Sequence, residues 1–164
     1  MKALLLSGGY GTRLRPITNT KPKCLVEVNG KPILEHWLIK LEEINCQSVL
    51  INTHYLSEQV EDFLENYNTN MQIKTTFESE LLGTAGTFIK NADFFSDAQG
   101  LLIHADNYTT NKLKSFVNSI NFMPKSCLLT MLTFKTENPS QCGIVETDSK
   151  GIVRNFFEKS NEFH

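Results

Sequence analysis

The chain has 164 residues, 40% of them hydrophobic, enough for one domain with a sizeable core and short for two. A formal net charge of -2 excludes a general basic field for nucleic acid or an anionic membrane, so any anion site must be local. The four cysteines, Cys24, Cys46, Cys127 and Cys142, are scattered without C-x-x-C spacing, which argues against zinc and a disulfide framework and reads as reduced thiols.

The opening run "MKALLLS" is too short for a signal-peptide core, and no stretch approaches transmembrane length, so a cytoplasmic protein is expected. Residues 2–6 read as a buried strand stopped by Ser7 and Gly8. From Pro32, placed at a first helical position, Ile33, Leu34, Trp37, Leu38, Leu41 and Ile44 recur at helical spacing, with Trp37 in the core. "SVLINT" (48–53) reads as a strand, and Leu56, Val60, Phe63, Leu64 and Tyr67 mark a second helix. Met71, Ile73, Thr75 and Phe77 alternate as a strand with one buried face. "GLLIHA" (100–105) is a further strand, followed by a helix through Leu113, Phe116, Val117 and Ile120 and by the strand "SCLLTMLTF" (126–134). "GIVET" and "IVRNFFE" flank a turn at 148–151 and predict a β-hairpin.

Strands alternating with helices predict an α/β fold: a Rossmann-like three-layer sandwich in one domain, 1–164, its sheet mostly parallel and made mixed by the hairpin. Ligands collect at the carboxyl ends of such strands, which directs attention to the loops after residues 6, 53, 77 and 105. The first of these is the densest. Gly8, Gly9 and Gly11 permit positive φ and close approach, so that backbone N–H groups can converge on an anion. Arg13, Arg15, Lys21 and Lys23 supply cations for a polyphosphate. Walker A is absent, because Gly30 and Lys31 are followed by Pro32 and no glycine stands at position 25. The dinucleotide fingerprint fails at Leu14, and Pro16 interrupts a helix directly after the loop.

The stretch "LLLSGGYGTRLRPITNTKPKCLVEVNGKPILEHWL" resembles the signature of the sugar-1-phosphate nucleotidylyltransferases. "ESELLGTAG" (78–86) looks like that family's nucleobase and sugar loop, "LLIHADNYT" (101–109) like its strand-end aspartate, and residues 142–160 like its G-[IV]-V-E-x-D-x-x-G-x-V-x-x-F-x-E-K-P element. The resemblance implies the nucleotide-diphospho-sugar transferase type of fold and transfer of a nucleotidyl group from a nucleoside triphosphate to a sugar 1-phosphate. It also implies site residues. Leu6, Gly8, Gly9, Gly11, Thr12 and Arg13 would hold the nucleotide, with Arg13 on the departing pyrophosphate, and Lys23 would bridge the α-phosphate and the attacking phosphate. Asp106 would bind Mg²⁺, Glu78 and Gly83 would frame the base, and Glu158 and Lys159 would meet the sugar phosphate.

Arg15 and Lys21 are read as solvated or structural, and His104 as a packing histidine. The loop "LGTAG" is more similar to guanylyltransferases acting on mannose or heptose 1-phosphate, which favours GTP. A cytidylyl- or thymidylyltransferase of the same fold, one with a phosphocholine acceptor included, and a non-catalytic nucleotide-binding regulatory module are the alternatives. Neither nucleic acid nor membrane is expected as a partner, and a homo-oligomer is left open. Two departures stand out: Ser160 replaces the family's proline, and the sequence ends at His164, where family members continue into strands with a second metal-binding aspartate.

Overall fold

A computed structural model describes residues 1–158, and the chain divides into two compact units, Met1–Ser119 and Ile120–His164. In the first unit, β1 (Lys2–Leu6) leads into a glycine loop and short helical turns, then β2 (Glu27–Val28) and β3 (Lys31–Pro32) form a small antiparallel ladder. After it come α1 (Ile33–Glu43), β4 (Ser48–Thr53), α2 (Ser57–Glu65), β5 (Gln72–Phe77), α3 (Gly83–Lys90), β6 (Gly100–His104) and α4 (Leu113–Ser119). Pro32 pairs with Glu27 and stands just before α1, so Ile33 takes the first helical position instead.

The main sheet has the order β5-β4-β1-β6 with every pair parallel. The chain moves outward from β1 to β4 to β5 and then returns to the far side of β1. Right-handed crossovers therefore put α1 and α2 on one face and α3 on the other, and the reversal of direction opens a crevice between β1 and β6. The two central strands are apolar because both of their faces are covered: Ala3, Leu4 and Leu5 of β1 are fully buried, and all six residues of β4 are buried. Leu34, Trp37, Leu38 and Leu41 of α1 pack with Ala3, Leu5, Val49 and Ile51 into one cluster, following the helical repeat predicted for them. On the outer strand β5 the expected buried face is incomplete, since Thr75 and Phe77 are exposed. α3 departs from the loop expected over its glycine-rich start.

In the second unit, β7 (Gly143–Thr147) and β8 (Val153–Glu158) form the predicted hairpin. Asp148 holds its turn, accepting hydrogen bonds from Lys150 N–H and Ile152 N–H and from the Arg154 guanidinium. Among the described residues this hairpin is a separate two-stranded sheet, so the main sheet is parallel throughout and not mixed. The strand expected at 126–134 is not formed either. Its apolar residues stand in solvent, Leu128 at 96% and Phe134 at 78% exposure, because apolar alternation makes a strand only when a neighbour completes the backbone ladder.

Candidate functional site

Side chains alternate along a strand, and the parallel register brings even-numbered positions of the main sheet onto one face. Leu6 lies opposite both Asn52 and His104, and Asn52 lies opposite Thr76. One step further, past the carboxyl ends, come Gly8, His54, Glu78 and Asp106. A cavity of about 220 Å³ opens there, lined by Gly8, Gly9, Lys23, Asn52, Glu78, Gly83, His104 and Asp106 among others.

The glycine loop forms its floor, though its glycines serve different ends. Gly11 has φ 63, and a Cβ there would lie 2.9 Å from Thr18 Cγ2 and 3.1 Å from Lys23 Cβ. Gly8 has no positive φ but a close approach: a Cβ would meet Asn52 Nδ2 at 3.1 Å, Leu81 Cδ2 at 3.2 Å and His54 Cβ at 3.3 Å, so these neighbours would have to give by a few tenths of an ångström. Gly9 has neither a positive φ nor a neighbour within 4 Å.

Lys23 opens a short helical turn, and its Nζ donates to Asp106 Oδ2 at 2.5 Å across the crevice between β1 and β6. The Asp106 loop is tied down from α1: Trp37 Nε1 donates to Asn107 O at 2.8 Å, Lys40 Nζ donates to Asn111 O, and the His36 and Tyr108 rings meet edge to face. Trp37 is thus core, as expected, and also a tether. Thr12 and Arg13 lie on an exposed turn outside the cavity lining, and Arg13 has no partner among the described residues. Arg15 is exposed, and Lys21 makes a surface pair with Glu27 at 3.5 Å.

On the other flank Glu78 is 1% exposed. Its carboxylate accepts from Thr87 Oγ1 at 2.6 Å and, weakly, from Leu82 N–H at 3.4 Å, so it braces the start of α3 from behind. Gly83 begins that helix with φ 71. His54 Nδ1 lies 2.7 Å from Glu78 O, and a carbonyl only accepts, so Nδ1 carries the hydrogen. In the neutral ring Nε2 then accepts from the Tyr10 hydroxyl at 2.8 Å, linking the glycine loop to the loop before α3. Burial pushes the Cys24 thiol beneath the cavity up to about 12, which makes it a packing group and no nucleophile.

His104 corrects an expectation: it is exposed and lines the cavity beside Asp106 instead of packing in the core. Glu158 ends β8 of the second unit with its side chain exposed, while Lys159 and Ser160 fall outside the described residues. Asn52, His54 and Tyr10 were not singled out from the sequence. The signal was present in "NTHY", where polar residues close an apolar strand. Among the described residues no group of three or more His, Cys, Asp and Glu side chains could enclose a metal. Asp106, with Oδ2 engaged by Lys23, keeps Oδ1 for a hard cation that draws its other ligands from phosphate oxygens and water. No described helix is long and apolar enough to cross a membrane.

The family model described as "Nucleotidyl transferase" matches residues 2–164. A mannose-1-phosphate guanylyltransferase catalytic subunit beta of Drosophila pseudoobscura pseudoobscura is 37% identical over 166 residues, covering 99% of this chain and 44% of the fly protein. A probable mannose-1-phosphate guanylyltransferase 1 of Oryza sativa subsp. japonica is 35% identical, covering 99% and 46%. The chain therefore spans less than half the length of these relatives. Among solved structures, HddC from Yersinia pseudotuberculosis complexed with GMP-PN has a TM-score of 0.71 at 21% identity, covering 98% of this chain and 70% of that one. UDP-glucose pyrophosphorylase complexed with UDP-glucose has a TM-score of 0.78 at 19% identity, covering 98% and 69%. These structural matches share the fold, and the sequence matches, running nearly end to end, place the chain in the nucleotidyl transferase family.

Proposed function

We propose that the protein transfers a nucleotidyl group from a nucleoside triphosphate, GTP in the first instance, to a sugar 1-phosphate. A phosphate oxygen of the sugar 1-phosphate forms a bond to the α-phosphorus, the bond from that phosphorus to the bridging oxygen breaks, and pyrophosphate departs. Such a displacement asks the protein for alignment and charge neutralisation rather than a nucleophile. The observation that carries this reading is Lys23 Nζ held 2.5 Å from Asp106 in a crevice that Gly8 and Gly9 also line, a cation fixed beside a glycine loop.

Lys23 draws the two phosphates together and stabilises charge on the reacting oxygens. Gly8, Gly9 and Gly11 let backbone N–H groups approach the phosphates, with Leu6 and Thr12 flanking them, and Arg13, without a partner among the described residues, takes the pyrophosphate end. Asp106 holds Mg²⁺, which when bound neutralises phosphoryl charge. Glu78 acts on the base indirectly, by bracing the start of α3, where Gly83 lies. GTP and mannose 1-phosphate are favoured by the names of the relatives, the fly and rice proteins being called mannose-1-phosphate guanylyltransferases. The test is pyrophosphate release from each of four ribonucleoside triphosphates with a panel of sugar 1-phosphates, with and without Mg²⁺. Release that requires both Mg²⁺ and one sugar 1-phosphate is expected; triphosphate binding without release under any pairing overturns the enzymatic reading in favour of a binding module.

A further inference from the structure

Asn52 closes the buried strand β4 with a side chain that is only half used. The residue is 4% exposed. Its Oδ1 accepts the Ser7 N–H at 2.7 Å, and its backbone carbonyl accepts the Ser7 hydroxyl. A backbone N–H can only donate, so the chemistry of this contact settles which end of the amide faces Ser7. The NH2 group is left on the opposite side. It lies on the even-numbered face that carries the cavity, 3.1 Å from where a Gly8 Cβ would be, and has no hydrogen-bond partner among the described residues. Among the described residues only Thr53 Oγ1 is a fully buried side-chain polar atom without a partner, so the Asn52 NH2 keeps contact with the cavity's solvent and can exchange that contact for an acceptor on a ligand.

The strand order says which part of a nucleotide passes above it. Across the sheet the carboxyl ends run Glu78 after β5, Asn52 on β4, Gly8 after β1 and Asp106 after β6, an extent of about 14 Å at the usual strand spacing. Lys23 and Asp106 place the phosphates over β1 and β6. With the phosphates there, the side toward β4 and β5, where Leu81 and Gly83 line the cavity, is left for the nucleoside.

We propose that Asn52 is a base-reading residue, its fixed NH2 donating to an acceptor on the nucleobase. The inference rests on the nucleotide reading above. With Oδ1 held by Ser7, the residue offers a donor and no acceptor, so it favours a base presenting a keto oxygen or ring nitrogen at that point and disfavours one presenting an amino group.

The experiment measures equilibrium affinities of the four ribonucleoside triphosphates, with Mg²⁺, for the wild-type protein and for Asn52→Asp and Asn52→Ala. Asn52→Asp keeps an acceptor for Ser7 N–H while abolishing the donor. The preferred triphosphate should weaken roughly three- to tenfold more than the least preferred, so that the ratio between them collapses. Analogues of the preferred triphosphate, each lacking one base acceptor, supply a second measurement independent of how the variants fold. One analogue should bind the wild type three- to tenfold more weakly and lose that penalty in Asn52→Asp. Equal weakening of all four triphosphates, no change at all, or no analogue with a penalty that depends on Asn52 overturns the assignment. A wild-type protein that binds none of the four overturns the nucleotide reading and this inference together.

Discussion

The two ends of the same four strands carry two hollows of unlike chemistry. At the amino ends of β4 and β5 lies the larger, about 570 Å³, lined by Glu42, Asn45, Cys46, Gln47, Asn68, Thr69, Asn70 and Met71. At the carboxyl ends lies one of about 220 Å³ with Lys23, Asp106, Gly8 and Gly9 on its walls. Size would choose the first. It has no cation and no glycine approach, and its single charge is a carboxylate, whereas the other sets the Lys23 ammonium beside Asp106 at the close-approaching Gly8 and Gly9. A parallel sheet creates this asymmetry, because its crossovers aim every β-to-α loop at one end, and only there did loop composition depart toward cations and glycine.

That contrast can be broken most sharply at Lys23. Lys23→Ala is expected to lower turnover on the order of 10²- to 10³-fold, with a much smaller change in triphosphate affinity, read by pyrophosphate release and equilibrium binding. Equal losses in both would mean that Lys23 merely attracts the nucleotide. A smaller effect should come from Trp37→Phe, which keeps an aromatic core side chain but removes the hydrogen bond to Asn107 O. About three- to tenfold lower turnover is expected, shown as a raised Mg²⁺ requirement at unchanged triphosphate affinity, since only the Asp106 loop is loosened. Least of all should come from the amino-terminal hollow: Asn70→Ala and Glu42→Gln should leave turnover within about twofold of wild type, these being surface changes remote from the crevice. A substantial loss there would make the larger hollow functional and dissolve the contrast.

Several parts of this arrangement were legible along the chain. The strand at 48–53 is centred on its apolar run, and the α1 face from Ile33 to Leu41 follows the helical repeat, because burial pressure writes itself directly into spacing. Gly11 was legible as a residue of special backbone, whereas Gly8 owes its small size to Asn52, His54 and Leu81, neighbours more than 40 residues away in sequence. The stretch 126–134 shows the limit from the other side. Its alternation matches that of a strand, yet pairing is decided by a partner's backbone, which no local pattern encodes.

By itself the sequence determined the α/β alternation, the buried strands, the glycine loop with its cations, and through its motif the family, all of which depend on neighbours a few residues apart. Only the tertiary structure decided that Lys23 meets Asp106 across 83 residues, that Trp37 anchors the Asp106 loop, that the Glu78 carboxylate is held by Thr87 of α3, and that Asn52 leaves a donor facing the cavity. The reason is physical: a side chain's role is set by what the sheet order places beside it, and strand order follows from long-range packing that no single segment contains.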